Sequence, residues 1–361
     1  MPNDIHDDIR RLLVDAVADL PALAPAPQRT VRRAHRRFVG TVGALALVVC
    51  IAVSGAIAVV QPFQGVPATQ PEPHGVWLVN VDTGAASQLA NIPENAFWFT
   101  TSLDGSTIAF TVSHGGDPAR EGQVYVMAAD GSDLRKVSHE RYGASQPTLS
   151  PDGTKVAYTA LRNVAGSASR NVVVVDTSGH GTPVQVTHER HDVASLAWSP
   201  APTWSSAGDS ILYSVAIPRS PSVGASWASS RLMKVDVASH DRTSLAGGGR
   251  TSADFGTWSA NGSEIAYMAG RERGDEAYGF DPARIMVMNS DGSDPHPVTT
   301  LDQRAFELLW RPWQSDLALT IEGTNGSFGV YFFDVATRQI RYVTDGMALA
   351  WLNVHTLIVA R

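Results

Sequence analysis

Leu149 to Tyr158 reads LSPDGTKVAY. An apolar residue leads into Ser-Pro-Asp-Gly, and Val-Ala-Tyr leads out. Proline presets φ, aspartate folds back onto its own backbone and glycine accepts a left-handed conformation, so the stretch predicts two antiparallel strands joined by a tight turn. Weaker copies read SLDGSTIAF, SAGDSILY, SANGSEIAY, PWQSDLAL and WLNVHTLIV. Aligned on the first apolar residue after each turn, the six copies fall at Ile108, Val156, Ile211, Ile265, Leu317 and Leu357, with separations of 48, 55, 54, 52 and 40.

A second pattern alternates with the first. It reads VYVMAADGSD at 124–133, VVVVDTSGHG at 172–181, MKVDVASHD at 233–241, IMVMNSDGSD at 285–294 and VYFFDVATRQ at 330–339, with a sixth copy, VWLVNVDTGA, starting at Val76. Each unit therefore holds two hairpins, and four strands repeated about every 50 residues predict propeller blades. The first copy has the second hairpin only and the last has the first hairpin only. Residues near 76–90 are thus expected to supply the outer strands of the blade whose inner strands lie near 348–360, which closes the ring and leaves no half-blade with a bare edge. The expected fold is an all-β, six-bladed propeller of four-stranded antiparallel blades over residues 76–361.

These units resemble the blades of the TolB-type propeller, a relative of the WD-repeat propellers. The resemblance rests on QPTLSPDGTKVAY with NVVVVDTSG and on FGTWSANGSEIAY with RIMVMNSDGSD. It implies the fold and an envelope-scaffold role rather than an activity, since one blade type serves many tasks. TolB-type proteins are soluble and periplasmic with an extra N-terminal domain; here an apolar run stands in that place. The fifth unit, WRPWQSDLAL, lacks the Asp-Gly turn, and the third carries a broad Ser-rich insertion. Trp198, Trp258, Trp310 and Trp351 precede the later turns and are read as packing between blades.

The apolar run is Phe38 to Val60, 23 residues without a charge. As a helix it is about 34 Å long, enough to cross a bilayer. Arg29, Arg32, Arg33, Arg36 and Arg37 crowd in front of it, and no Lys or Arg follows until Arg120. By the positive-inside rule the N-terminus stays in the cytoplasm and the propeller lies outside, on an uncleaved single-pass anchor in the cytoplasmic membrane. Residues 1–37 form the cytoplasmic segment, in which 4–20 is expected to be a short amphipathic helix with Asn3 as its cap and Pro21 as its stop. Its polar face carries five aspartates against Arg10 and Arg11, which favours a protein partner over an anionic membrane surface. Residues 61–75 read as a Pro-rich linker.

The formal charge of −7 is uneven: residues 1–37 hold seven arginines against five aspartates, and everything after Val60 sums to −9. A nucleic-acid surface on the propeller is therefore not expected. Cys50, the one cysteine, lies in the apolar run, so the propeller has no disulfide and no thiolate metal site. HERHD at 188–192 and HERY at 139–142 miss the zinc-protease spacing, with His at i and i+3 in a β domain. The acidic loop around Asp275, Glu276 and Asp281 lacks the alternating ligands of a calcium loop. AGGGR at 246–250 opens no helix, and no G-x-S-x-G occurs.

No cofactor or metal is expected and no enzyme activity. The longer loops gather on one face, the expected binding surface for a protein, peptide or envelope component. Its candidate contacts are His139, Arg141, His188, Arg190, His191, Arg250 and Arg304. The alternative expectation is a transmembrane sensor, with helix 4–20 holding a cytoplasmic regulator such as a sigma factor in the manner of membrane-bound anti-sigma factors.

Overall fold

The computed structural model describes residues 75–113, 122–164, 167–191, 193, 201–218, 227–249, 251–270, 283–301, 303–323 and 325–361. The expected cytoplasmic helix, membrane span and linker, together with Arg250, Trp198 and the acidic loop at 275–281, lie outside these residues. Among the described residues no helix is long and apolar enough to cross a membrane.

The described chain opens with β1 (Val76–Asn80) and β2 (Ala86–Gln88). A first blade follows: β3 (Ala96–Thr101), β4 (Thr107–Ser113), β5 (Gly122–Ala128) and β6 (Arg135–Lys136). The second is β7 (Ala144–Leu149), β8 (Lys155–Val164), β9 (Ser167–Asp176) and β10 (Val184–Gln185). The third is β11 (Thr203–Trp204), β12 (Ser210–Pro218), β13 (Trp227–Asp236) and β14 (Arg242–Gly247). The fourth is β15 (Ser252–Trp258), β16 (Glu264–Gly270), β17 (Ala283–Asn289) and β18 (His296–Leu301), and the fifth is β19 (Ala305–Trp310), β20 (Asp316–Glu322), β21 (Phe328–Asp334) and β22 (Ile340–Asp345). The sixth joins β23 (Met347–Asn353) and β24 (Thr356–Ala360) to the two opening strands, in the order β2-β1-β24-β23. All pairings within the blades are antiparallel, for example β8 with β9 and β1 with β24. The expected six-bladed ring and its mixed closing blade are both found.

Closure is a continuous ladder. All five residues of β1 pair with β24, from Val76 opposite Ala360 to Asn80 opposite Thr356, and Gly75 and Arg361 exchange backbone hydrogen bonds at 2.8 and 3.0 Å. The six aligned residues Ile108, Val156, Ile211, Ile265, Leu317 and Leu357 are each 0% exposed. Among the described residues the buried apolar side chains sort into six clusters, and each straddles two neighbouring blades. Burial of a Val, Ile or Leu side chain contributes about 1.5–3 kcal/mol, so the core is spread around the ring as a set of seams.

The turns repeat as the sequence reads. Ser102, Ser150, Ser205 and Ser259 open them, and their Oγ atoms donate to Asp104, Asp152, Asp209 and Asn261 at 2.6–2.8 Å. Hydrogen bonds from the Ser150 hydroxyl and the Thr154 amide hold the Asp152 carboxyl below the usual carboxylate range. In the fifth unit Arg311 stands where the serine would be, and its Nη1 donates to Asp316 Oδ2 at 3.3 Å. Trp313 there takes φ +61° after Pro312, the φ pattern of a type II turn in a place where the other units use glycine one residue later.

The tryptophan directly before the third turn is Trp204, immediately ahead of Ser205, rather than Trp198, whose packing lies outside the described residues. Trp204, Trp258 and Trp351 donate from Nε1 to the carbonyls of Thr148, Thr203 and Leu309, each on the inner strand of the preceding blade, at 3.1–3.4 Å. The expected role between blades holds for these three and for Trp310, which packs in the cluster shared by the fourth and fifth blades, although its Nε1 donates to Gln314 O within its own turn, at 2.9 Å.

Candidate functional site

The sequence candidates lie between an outer strand and the next blade's inner strand. His139 and Arg141 fall between β6 and β7, and both are exposed. His188, Arg190 and His191 follow β10 and are exposed too. Arg304 precedes β19 and lies 3.8 Å from Glu322 of the same blade. The Arg141 guanidinium sits 5.2 Å from the ring centre of the exposed Tyr142. The His188 ring stands 6.4 Å from that of His240, across a blade boundary.

The residue inside each His-Glu segment that does the holding is the glutamate. Glu189 N donates to Asn171 Oδ1 at 2.7 Å, and Glu189 O accepts from Ser169 Oγ and Asn171 Nδ2. Its carboxylate accepts from Tyr213 Oη at 2.9 Å and Arg242 Nη1 at 2.8 Å, both in the following blade. Glu140 repeats the scheme with Gln123 on its own blade and with Tyr158 (3.0 Å) and Arg162 (2.6 and 2.8 Å) on the next. Burial first, and then the adjacent carboxylate, push both tyrosine hydroxyls up, so they remain donors at any ordinary pH. The preceding Ser138 and Thr187 hydroxyls lock the loops onto Val124 N and Val172 N. The two HER segments are thus latches between blades. Among the described residues no three His, Cys, Asp or Glu side chains are grouped as a metal site.

A different feature sits on the axis. The first strand of each blade contacts that of the next, β3 to β7, β7 to β11 and on through β23 back to β3. These inner strands enclose a cavity of about 210 Å³ lined by residues of all six blades. Five of the strands break register, at Phe97/Thr100, Ser145/Thr148, Asp254/Thr257, Phe306/Leu308 and Ala348/Ala350. At four of those bulges the residue four places before the turn-opening residue has a positive φ: Trp98 (51°), Gln146 (56°), Phe255 (55°) and Glu307 (50°). Left-handed backbone costs such residues of order 1–3 kcal/mol each, and its repetition at one level of the ring marks a shaped feature. With six blades, residues three blades apart stand on opposite sides of the axis, so Trp98 in the first blade lies across from Phe255 in the fourth; Gln146 and Ala348 hold the equivalent backbone positions but are buried and do not line the cavity.

Among the described residues, Glu307 is the sole ionisable one lining the cavity. No hydrogen bond or ion pair joins its carboxyl to a described residue. Part of the side chain meets the lumen, yet protein encloses it, and burial pushes its carboxyl up to about 7. Gln146, in contrast, is engaged, its Oε1 accepting from Thr159 Oγ1 at 3.0 Å. Sequence reasoning missed this level because the bulge, not residue type, aims it at the axis. Reading four residues back from each turn would have found it.

Comparison with known proteins agrees with this architecture. No known protein-family profile matches the chain. A curated relative, the uncharacterized peptidase YuxL of Bacillus subtilis (strain 168), is 32% identical over 84 residues, which are 23% of this chain and 12% of YuxL. Among solved structures, a putative TolB from Agrobacterium tumefaciens superposes with a TM-score of 0.61 at 16% identity, covering 79% of this chain and 96% of that one. TolB from Acinetobacter baumannii gives 0.51 at 13%, covering 79% and 63%. A chain of the nidogen/laminin complex gives 0.51 at 11%, covering 74% and 92%. The fold is that of the TolB-like six-bladed propellers.

Proposed function

We propose that the protein is a binding scaffold without catalytic activity, whose loop face takes a protein or peptide. A span over residues 38–60 holds the ring outside the cytoplasmic membrane. The observation that carries this reading is the use of Glu140 and Glu189 as latches. The segments nearest to a catalytic motif serve the frame, and they leave His139, Arg141, Tyr142, Arg190 and His191 exposed beside them. Arginine and tyrosine on a rigid support are the residue types that interfaces favour. Propellers of this architecture in TolB and in a nidogen/laminin complex support the same reading.

Crosslinking the intact protein in its native membrane, with identification of attached chains, tests it. A reproducible partner that is lost when Arg141 and Arg190 are both changed to Glu is expected. Capture that is unaffected by that change removes the loop face from the reading, and a reporter placing Arg361 in the cytosol removes the outward orientation.

A second reading is favoured by the helical spacing of apolar residues in the sequence of 4–20, which a plain anchor does not need: a sensor that holds a cytoplasmic regulator such as a sigma factor. Deleting residues 1–28 separates the two. Unchanged envelope-stress transcription and cytoplasmic pull-downs leave only the scaffold.

A further inference from the structure

We propose that the axial cavity is a second ligand site, independent of the loop face, and that it takes a protonated amine carried on an apolar neck, with Glu307 as the counter-ion. The cavity lining is mainly apolar, interspersed with Thr100, Thr101, Ser102, Thr148 and Thr203, and one carboxyl without a partner among the described residues stands in its wall. A lone carboxylate in such surroundings is costly until a cation pairs with it. The aromatic residues at the same level, Trp98 and Phe255, flank Glu307 from opposite sides of the lumen and suit both an apolar neck and a cation over a ring face.

The volume, about 210 Å³, is below that of drug-sized pockets and fits a small amine or one long side chain. The lining extends from the bulges to the turns, where Leu103 and Pro312 form its rim; Leu103 is 38% exposed and Trp313, next to Pro312, is 66% exposed. The cavity is thereby reached from the turn end, away from the candidate loops. A free amine and a lysine side chain of a peptide share this chemistry.

The charges around Glu307 leave it available. Inner strands β3, β7, β11 and β23 carry no ionisable side chain. β15 contributes Asp254. On either side of Glu307 in its own strand, Arg304 lies by Glu322, while Arg311 is committed to Asp316 and Asp82 at the turn end.

The test is calorimetric titration of the full-length protein in detergent with three probes: phenethylamine, its neutral analogue 2-phenylethanol, and a blocked phenylalanyl-lysine dipeptide. At about pH 8 at least one amine probe should bind roughly tenfold or more tighter than the alcohol, and the preference should shrink at about pH 5.5 as Glu307 takes up its proton. Tighter binding of phenethylamine points to a free amine, and tighter binding of the dipeptide points to a lysine side chain. Glu307→Gln should abolish the preference. Gln146 already holds the same left-handed bulge, so a glutamine fits that backbone. Trp98→Leu should weaken every probe severalfold while keeping the preference for the amine. Equal affinity for amine and alcohol, a preference that survives Glu307→Gln, or no binding by either amine at about 10 mM would overturn the proposal.

Discussion

Arg311 Nη2 donates to Asp82 Oδ1 at 3.1 Å across 229 positions of sequence. The same guanidinium donates from Nε to Val354 O at 2.7 Å and lies 5.6 and 5.5 Å from the ring centres of Phe332 and Trp351. His355 Nδ1 contacts the other oxygen of Asp82. One buried arginine, standing where four other blades have a serine, thus ties the fifth turn to both hairpins of the closing blade. Hydrogen bonding by His355, and then by Arg311, holds the Asp82 carboxyl below its ordinary value despite some desolvation. That contribution is present above the unfolded value of 3.8 and is lost as pH falls through the lower folded value.

Removing Arg311 should therefore cost more than removing Asp82. Arg311→Ala strips three partners and two ring contacts and should lower stability by about 2–4 kcal/mol in urea unfolding. Arg311→Lys should recover little of it, because an ammonium cannot reproduce the planar fork. Asp82→Asn, at an exposed position, should cost clearly less. Equal losses for Arg311→Ala and Asp82→Asn would show that the closing blade does not depend on the fork.

The ladder between β1 and β24 should dominate closure. Val79 is 1% exposed and pairs with Leu357. Val79→Asp buries an unpaired carboxylate in the seam between the fifth and sixth blades and should cost about 3 kcal/mol or more. Deleting residues 1–89 should lower the melting temperature well below that of a chain lacking only 1–74. A shared melting temperature would mean that the ring does not rely on its first two strands.

Glu189 and Tyr213 should be coupled. Tyr213→Phe removes one bond across a blade boundary and Glu189→Gln weakens two, those from Tyr213 and Arg242, and a double-mutant cycle should return about 1–2 kcal/mol of interaction. His188→Ala and His191→Ala should leave stability within about 0.5 kcal/mol, as exposed substitutions do. Added Zn²⁺ should shift the melting temperature of none of the four variants. A zinc-dependent shift lost in His188→Ala would restore a metal role to the segment.

The ring was legible because its information is periodic: tight turns need proline, aspartate and glycine at fixed offsets, and the residue after each turn must be apolar to enter a seam. Val76–Leu89 could be assigned to the last blade because both partial units were visible at once. The third unit misled at Trp198, since its Ser-rich surroundings hide that Trp204 is the residue directly before the turn serine. HERHD was legible as a repeat of HERY, yet its working residue, Glu189, is identified only by Tyr213 and Arg242 from the next blade. The axial level was the least legible part. Trp98 and Phe255 are aromatic while Gln146 and Glu307 are polar, and what unites the four is a backbone bulge that no residue type announces.

Glu307 should also set part of the protein's pH dependence. Below about 4.5 its carboxyl is protonated in folded and unfolded chains alike. Between about 4.5 and about 7 the folded chain keeps a proton that the unfolded chain has released, so stability falls as pH rises through this window. Above about 7 the full deficit remains, roughly 3 kcal/mol at most. Glu307→Gln, which stays neutral, should match the parent near the acid end of the window and melt at a higher temperature above pH of about 7. The difference between the two proteins isolates this residue, because Asp82, Asp104 and Asp152 titrate identically in both and act in the opposite sense, at lower pH. If parent and variant melted in parallel from acid to alkaline pH, the carboxyl would have water or a cation beside it, and the lumen would not be the desolvated space that strains it.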